Sequence, residues 1–546
     1  MATAQTISNE VVKMEFSSTD EESGEGSIAE VADKARAAFW DRMNAGLLMH
    51  YFSKGFMVGS MNAIISGVFA GYLNVPSYLI SATLNLATLP EIFTAVMGAL
   101  SDYKPIFGYH RRPYLVMGWT MVFMSSLIMT IVGLPEPYYC HLEDGTYLYH
   151  EEPCNPQAAH EYVPFMWCLF LSSCGLMIAG AAADGLLVQL AKAESEDRRG
   201  RNQTKFYMVS ALGAFVQCVM TAFGFNGKLY TGSFDQQYQL SFTQCAAIFM
   251  VPSSATALSC VWWVREVPAA KRSMRNFWGN SWRLLESRAF IVIAAYLFMG
   301  GSIFSISSNA GTWVSLQWAG VKMLQNQLSR LLAIMFTLVG MWLTQQYLLN
   351  VSWRKILFFT SVITLSIDAV PQFLTIFNVF RNQYFYLGEP IVTNIPLAIR
   401  SLVASFVANE VADENNCALV MGLLTTISNI AGPFAALMSN QIDVLFQPSL
   451  TDRQNYIEDQ VSFRQTVAAS YLLAYVSTIL SFATLPLLPW QKKEAQRRKQ
   501  EWPHRRVYAI IACLVLFIAF LYILTGDILV LDPDLSCLRF LGGTGC

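Results

Sequence analysis

Gly98-Ala-Leu-Ser-Asp102-Tyr-Lys104-Pro-Ile-Phe-Gly108-Tyr-His110-Arg111-Arg112-Pro113-Tyr114 is the most specific string in the chain, and it joins two long apolar segments, 79–100 and 114–134. An acid at the end of one helix, a glycine-containing turn and a basic pair before the next helix make a compact charged connection. Pro113 suits the first turn of the second helix, where a missing N–H costs no intrahelical bond. Asp102 can pair with a cation or sit at the N-terminus of a neighbouring helix, where the dipole favours negative charge. The expected arrangement is a latch between Asp102 and Arg112, closed in one state and released in another. The plainer reading is that Arg111 and Arg112 anchor the chain at the inner membrane surface.

Apolar segments continue on both sides of this connection. They fall near 51–72, 79–100, 114–134, 164–187, 206–226, 241–263, 289–310, 328–349, 356–378, 391–411, 419–441 and 466–489, with a thirteenth at 507–525. Each approaches the ~20 residues that span a bilayer as a helix. The chain of 546 residues is 54% hydrophobic and only 14% charged, against about 25% charged in a soluble domain. Lipid satisfies no backbone polar group, so these long continuous runs are expected to be helices. The fold class is therefore an all-α membrane protein.

Lys and Arg set the orientation. With the N-terminus inside, the inside connections carry 23 of them and the outside connections 5. The basic, aromatic linker 264–288 divides the first twelve helices into six and six, the plan of the major facilitator fold. The expected organisation is a disordered cytosolic tail over 1–48, with its acidic run Asp20-Glu21-Glu22, then a six-helix half over 49–263. The linker follows, able to lie as an interfacial helix on anionic lipid. A second half covers 289–490, a basic cytosolic loop 491–506, the extra transmembrane helix 507–525 and an extracytosolic tail 526–546.

The cysteines fit this topology. Cys140 and Cys154 fall in one outside loop, and Cys537 and Cys546 beyond the last helix, so two short disulfides are compatible with an oxidising face. The sequons at Asn202 and Asn350 fall inside and are expected to stay unmodified. The chain has no HExxH, CxxC pair, GxSxG or Walker motif. No enzyme activity, metal or cofactor is expected, and the six histidines are scattered over both faces.

Ionisable residues within spans are costly and mark cavities or partners. Glu91, Asp368 and Arg400 fall near mid-helix, while Lys54 and Asp184 lie in the inner parts of their helices. Lys54 can line a cavity or snorkel to the interface. Asp184 can serve a cavity or pair with Arg198 or Arg199 in a gate. Glu91 and Asp368 are candidate proton sites. Arg400 keeps its charge and is shaped to bind an anionic group. Asn62, Asn85, Asn309 and Asn429 can recognise a solute or bridge helices. Gly432-Pro433 is expected to interrupt helix eleven.

The 98–114 string, with Gly118-Trp119, resembles the folate–biopterin transporter family of the major facilitator superfamily. Tyr51-Phe52 with Gly55, Leu89-Pro90 and Ala183-Asp184-Gly185 are similar to that family too, and Ile367-Asp368-Ala369 and Gly432-Pro433 more weakly. Thr94 stands where relatives often carry a lysine, and Lys54 where they more often have an uncharged residue. The resemblance implies alternating-access transport of a folate- or pterin-like anion. From the residues, proton-coupled uptake of a small anionic solute at the plasma membrane is the leading expectation. A facilitator or exchanger of an amino acid or sulfonium metabolite remains open, as does a transporter-like receptor. The expected partners are the solute, membrane lipid and protons, with no nucleic acid. Oligomeric state is not legible.

Overall fold

The computed structural model describes residues 44–75, 77–142, 147–148, 152–225, 227–230, 240–264, 266, 273–413, 416–530, 535 and 538. The apolar runs form helices α1 to α13. In the first half, α1 is Ala45–Ile64 continued by a π-helical stretch Ile65–Tyr72, and α2 is Ser77–Thr88, a 3-10 stretch Leu89–Phe93, and Thr94–Tyr103. Then come α3 Arg112–Val132, α4 Val163–Lys192, α5 Arg201–Gly224 and α6 Phe242–Trp263.

In the second half, α7 starts as Arg288–Ala295 and runs through a π-helical turn to Phe304. It resumes at Gly311 and ends at Trp318. The rest are α8 Met323–Leu343 with its π-helical end Thr344–Leu348, α9 Trp353–Ile376, α10 Gln383–Val411, α11 Cys417–Asp443, and α12 Val461–Leu480 with a 3-10 end Ser481–Leu487. The extra helix α13 is Arg506–Val530. Eleven described helices are long and apolar enough to cross a membrane; α1 and the interrupted α7 complete the expected series.

Within the first half, α1 packs on α5 and α6, and α3 on α4 and α6; within the second, α10 packs on α8 and α9. The halves meet along α2 with α11 and α5 with α8. One end of the bundle, here the basic end, collects the Lys- and Arg-rich connections. The opposite end carries the Cys140–Cys154 disulfide, which is formed as expected. Cys537 and Cys546 lie outside the described residues, as does the acidic tail.

Several expectations need correction. Helix α1 already runs from Ala45, so the tail cannot extend to residue 48. Helix α7 breaks over residues 305–310 rather than running through to 310. Helix α11 stays continuous through Gly432-Pro433, whereas α2 is interrupted at Leu89-Pro90. Pro90 cannot donate a backbone bond, and its ring crowds the preceding turn. The basic loop contains a helix, Lys492–Glu501, and the linker contains another, Met274–Glu286.

Helix α13 lies over the seam between the halves. Phe520 meets Phe93 of α2 edge-on at 6.2 Å, and Tyr522 packs on Phe434 of α11 at 5.3 Å. Ala519 and Ile523 are buried with Ile430 and Leu437 of α11.

Candidate functional site

Asp102 ends α2 at the basic end. One carboxylate oxygen pairs with the guanidinium of Arg111, and the other accepts the backbone N–H of Leu419 at 2.7 Å, in the first turn of α11. Both side chains of the pair are almost fully buried. The two alternatives open for Asp102, a cation partner and a helix N-terminus, are thus both realised, and the second partner belongs to the other half. The cation is Arg111, not Arg112. Arg112 turns outward, donates to the carbonyl of Val261 and lies over the Tyr109 ring at 4.8 Å. Its expected latch pairing is overturned by helical phase: neighbouring residues point about 100° apart. Close approach of α2 and α11 depends on Gly98, where a Cβ would sit 2.3 Å from the carbonyl oxygen of Ala418. Glu266, just beyond α6, accepts the N–H groups of His110, Arg111 and Arg112 at 2.7, 2.8 and 2.9 Å. These are orphan donors of the α3 N-terminus.

A second set of contacts crosses the halves between α4, α5 and α10. Arg199 pairs with the buried Glu410 at 2.8 Å. Gln203 accepts from Asn409 at 2.6 Å, and the hydroxyls of Tyr207 and Ser405 lie 3.2 Å apart. The helix Lys492–Glu501 reinforces this seal. Gln496 donates to Glu410 at 2.6 Å, and Lys492 donates to the carbonyls of Glu196 and Arg199 at 2.9 and 3.2 Å. Burial pushes the Lys492 ammonium below its ordinary pKa. Between α4 and α5, Glu194 accepts the N–H groups of Gly200 and Asn202 at 3.0 and 3.2 Å. Burial raises its carboxyl to about 7.

Deeper in the bundle, the break in α2 frees backbone groups, and α11 satisfies them. Thr426 accepts the N–H of Ala95 at 3.1 Å and donates to the carbonyl of Ile92 at 2.9 Å. Asn429 donates to both the carbonyl and the carboxylate of Glu91 at 3.4 Å. Two expected site residues, Glu91 and Asn429, therefore meet each other at an exposed position on this crossing.

The other expected residues fall in separate groups. Asp184 accepts the Tyr51 hydroxyl at 2.6 Å, and its other oxygen lies 4.0 Å from the Lys54 ammonium. Its partners are in α1, not Arg198 or Arg199. Arg400 donates to Ser361 at 2.8 Å, with its guanidinium 3.7 Å from the Phe304 ring centre. It lines a cavity of about 420 Å³ with Tyr296, Ser401 and Ser428. Among the described residues no carboxylate lies within 4.0 Å of it.

Asp368 accepts from Tyr475 at 2.8 Å and Gln372 at 3.2 Å, and Gln372 in turn accepts from Tyr386 at 3.1 Å. Asn309 sits in the α7 break, its N–H donating to Asp443 at 2.7 Å and its amide to Asn440 at 2.9 Å. Asn85 is exposed, and the side chain of Asn62 lies outside the described residues. Tyr51, Glu410, Glu266 and Thr426 were not singled out as site residues. Glu410 could have been, as an acid at the basic end of a span, like Asp102.

Comparison with known proteins bears on this arrangement. The PUCC protein family model matches residues 68–137, a stretch that contains the latch. The folate-biopterin transporter of Synechocystis sp. (strain ATCC 27184 / PCC 6803 / Kazusa) is 22% identical over 462 residues, covering 83% of this chain and 82% of that protein. The proton:xylose symporter XylE shares the fold with a TM-score of 0.55 at 11% identity, over 87% of this chain and 100% of that one. The human organic anion transporter MFSD10 superposes with a TM-score of 0.52 at 12% identity, over 81% and 99% of the two chains. The charged connection at the end of α2, the paired six-helix halves and these likenesses lead to one conclusion: the chain is a multi-pass membrane protein of the major facilitator fold, similar to the folate-biopterin transporter of Synechocystis.

Proposed function

We propose that the protein is a secondary transporter that moves a small anionic organic solute by alternating access, coupled to protons, across the plasma membrane with its basic end in the cytosol. The observation that carries this reading is Arg400: a guanidinium inside a cavity, steadied by Ser361 and Phe304, with no described carboxylate to neutralise it. A buried cation of this kind is costly without a counter-charge, and an anionic solute supplies one. Its fork is shaped for a carboxylate. The name of the Synechocystis relative makes a folate or pterin the first solute to try.

Proton coupling is assigned to Asp368. Its carboxylate is held by a tyrosine and a glutamine, with no described cation within 4.0 Å, so uptake of a proton there breaks no ion pair. On this reading Asp102, Arg111, Arg199 and Glu410 form the gate at the cytosolic end, supported by their contacts across the halves. Lys54 and Asp184 line the inner part of the path from the first half.

The test is uptake of labelled folates, pterins, amino acids and other metabolites into cells displaying the chain, at two external pH values. Selective uptake of an organic anion that rises as external pH falls is expected. Arg400→Gln should abolish it, and Asp368→Asn should flatten its pH dependence. Uptake equal at both pH values would remove the proton from the mechanism. Binding without counterflow in proteoliposomes would make the chain a receptor instead.

A further inference from the structure

A cavity of about 600 Å³ opens at the basic end, away from Arg400 and beside the seam. It lies between the linker helix Met274–Glu286, the α10–α11 turn and the segment leading into α13. Arg283, Lys499 and His504 face it, with Asn280 and Asn416 as amide donors and Asp413 as the one described acid. Asp413 is already paired with Lys499. Arg283 has no carboxylate within 4.0 Å among the described residues.

We propose that this cavity binds a phosphomonoester, carried either on the headgroup of an anionic lipid or on a free sugar phosphate. The chemistry fits: a guanidinium makes paired, charge-assisted bonds to phosphate oxygens, and the volume lies within the range of ordinary ligand sites, about 300–1,000 Å³. The position favours the lipid. The linker helix buries Phe277 and Leu284 against the protein and turns Trp278 and Trp282 outward, 56% and 42% exposed. Helices α7 and α13 both begin beside it, at the level where a span meets water. Arg288 and Arg498 lie over Trp502 at 4.9 and 4.7 Å at the same level. Tryptophan and arginine at that depth mark the headgroup layer, and basic pockets between spans on this side suit phosphorylated headgroups.

Occupancy would also reach the seam. Lys499 donates to the carbonyl of Ala412 at 3.2 Å, and its helix carries Lys492 across to the first half. A bound phosphate would tie the linker helix, the α10–α11 turn and this helix together.

The experiment uses the full chain in lipid nanodiscs. Thermal unfolding and native mass spectrometry are followed with a phosphatidylinositol phosphate, a soluble inositol phosphate and phosphatidylserine. The expected result is a higher melting temperature and retained ligand with the phosphomonoesters, well above phosphatidylserine. Arg283→Gln should weaken binding by about tenfold, the scale of one lost charge-assisted bond, while the outward-facing Arg275→Gln leaves it unchanged. A response to the lipid alone assigns the headgroup as ligand; an equal response to the soluble compound assigns the free phosphate. Equal binding of phosphatidylserine, unchanged binding in Arg283→Gln, or no retention of any phosphomonoester overturns the proposal.

Discussion

Asp102 divides its carboxylate between two partners from different halves, Arg111 and the N–H of Leu419. Asp102→Asn leaves a buried guanidinium without its counter-charge, and breaking a buried pair in this way costs about 3–5 kcal/mol. The melting temperature of the purified protein should fall clearly, and Asp102→Asn with Arg111→Gln together should recover part of the loss. Arg112→Gln should do neither, because its side chain meets only an exposed carbonyl and a ring. Glu194 supplies a pH effect at the same scale. Its carboxyl is raised to about 7 in the fold, against about 4.3 for a free glutamate. The folded state therefore binds the extra proton between those values, and the stability it contributes declines as pH rises through that window and is flat above about 7. Glu194→Gln should remove this slope from melting curves taken from about pH 5 to about pH 8.

Among the elements, the break in α2 is the one whose backbone needs help. Thr426→Val would strand the N–H of Ala95 and the carbonyl of Ile92; both are half-buried, so each costs less than the about 1–3 kcal/mol of a fully buried unpaired group. This loosens α2 from α11, so a cysteine placed at the half-buried Ala99 of α2 in that background should react faster with a reagent added at the basic end. Unchanged labelling would mean that the crossing is held by packing alone. The existence of nearly every helix was legible in the sequence, because run length and the shortage of charge report directly on lipid. The charged latch was legible as a unit, but choosing between two adjacent arginines required the helical phase. The α7 break was missed although residues 305–310, Ser-Ile-Ser-Ser-Asn-Ala, are the most polar part of their run, because they contain no proline and small polar residues do not by themselves end an apolar segment. Pairings such as Glu91 with Asn429, or Asp184 with Tyr51, depend on which helices adjoin, and a single chain of residues does not state that.

At the scale of the molecule, two independent sets of contacts close the basic end: α2 with α11, and α4–α5 with α10 and the helix Lys492–Glu501. Under the alternating access proposed above, each set would have to open for a solute to leave on that side. Glu410→Gln removes the charge partner of Arg199 while leaving Asp102 untouched. It should increase the open population at this end, measured as a broader distance distribution between spin labels on α5 and α10. An unchanged distribution would show that the α2–α11 crossing alone sets the closure.

Helix α13 spans both halves at their seam, and this has a consequence for biosynthesis. The ring of Phe520 rests on Phe93, so a helix made after the other twelve completes a surface laid down with the second. Until it arrives, Phe93, Leu437 and Phe434 face the bilayer without their partners, and the order of synthesis keeps this flank unfinished until α13 is made. A transcript that stops after Glu501 would still make twelve helices, yet the nascent protein would retain an unfilled flank that membrane chaperones and quality-control proteases can recognise.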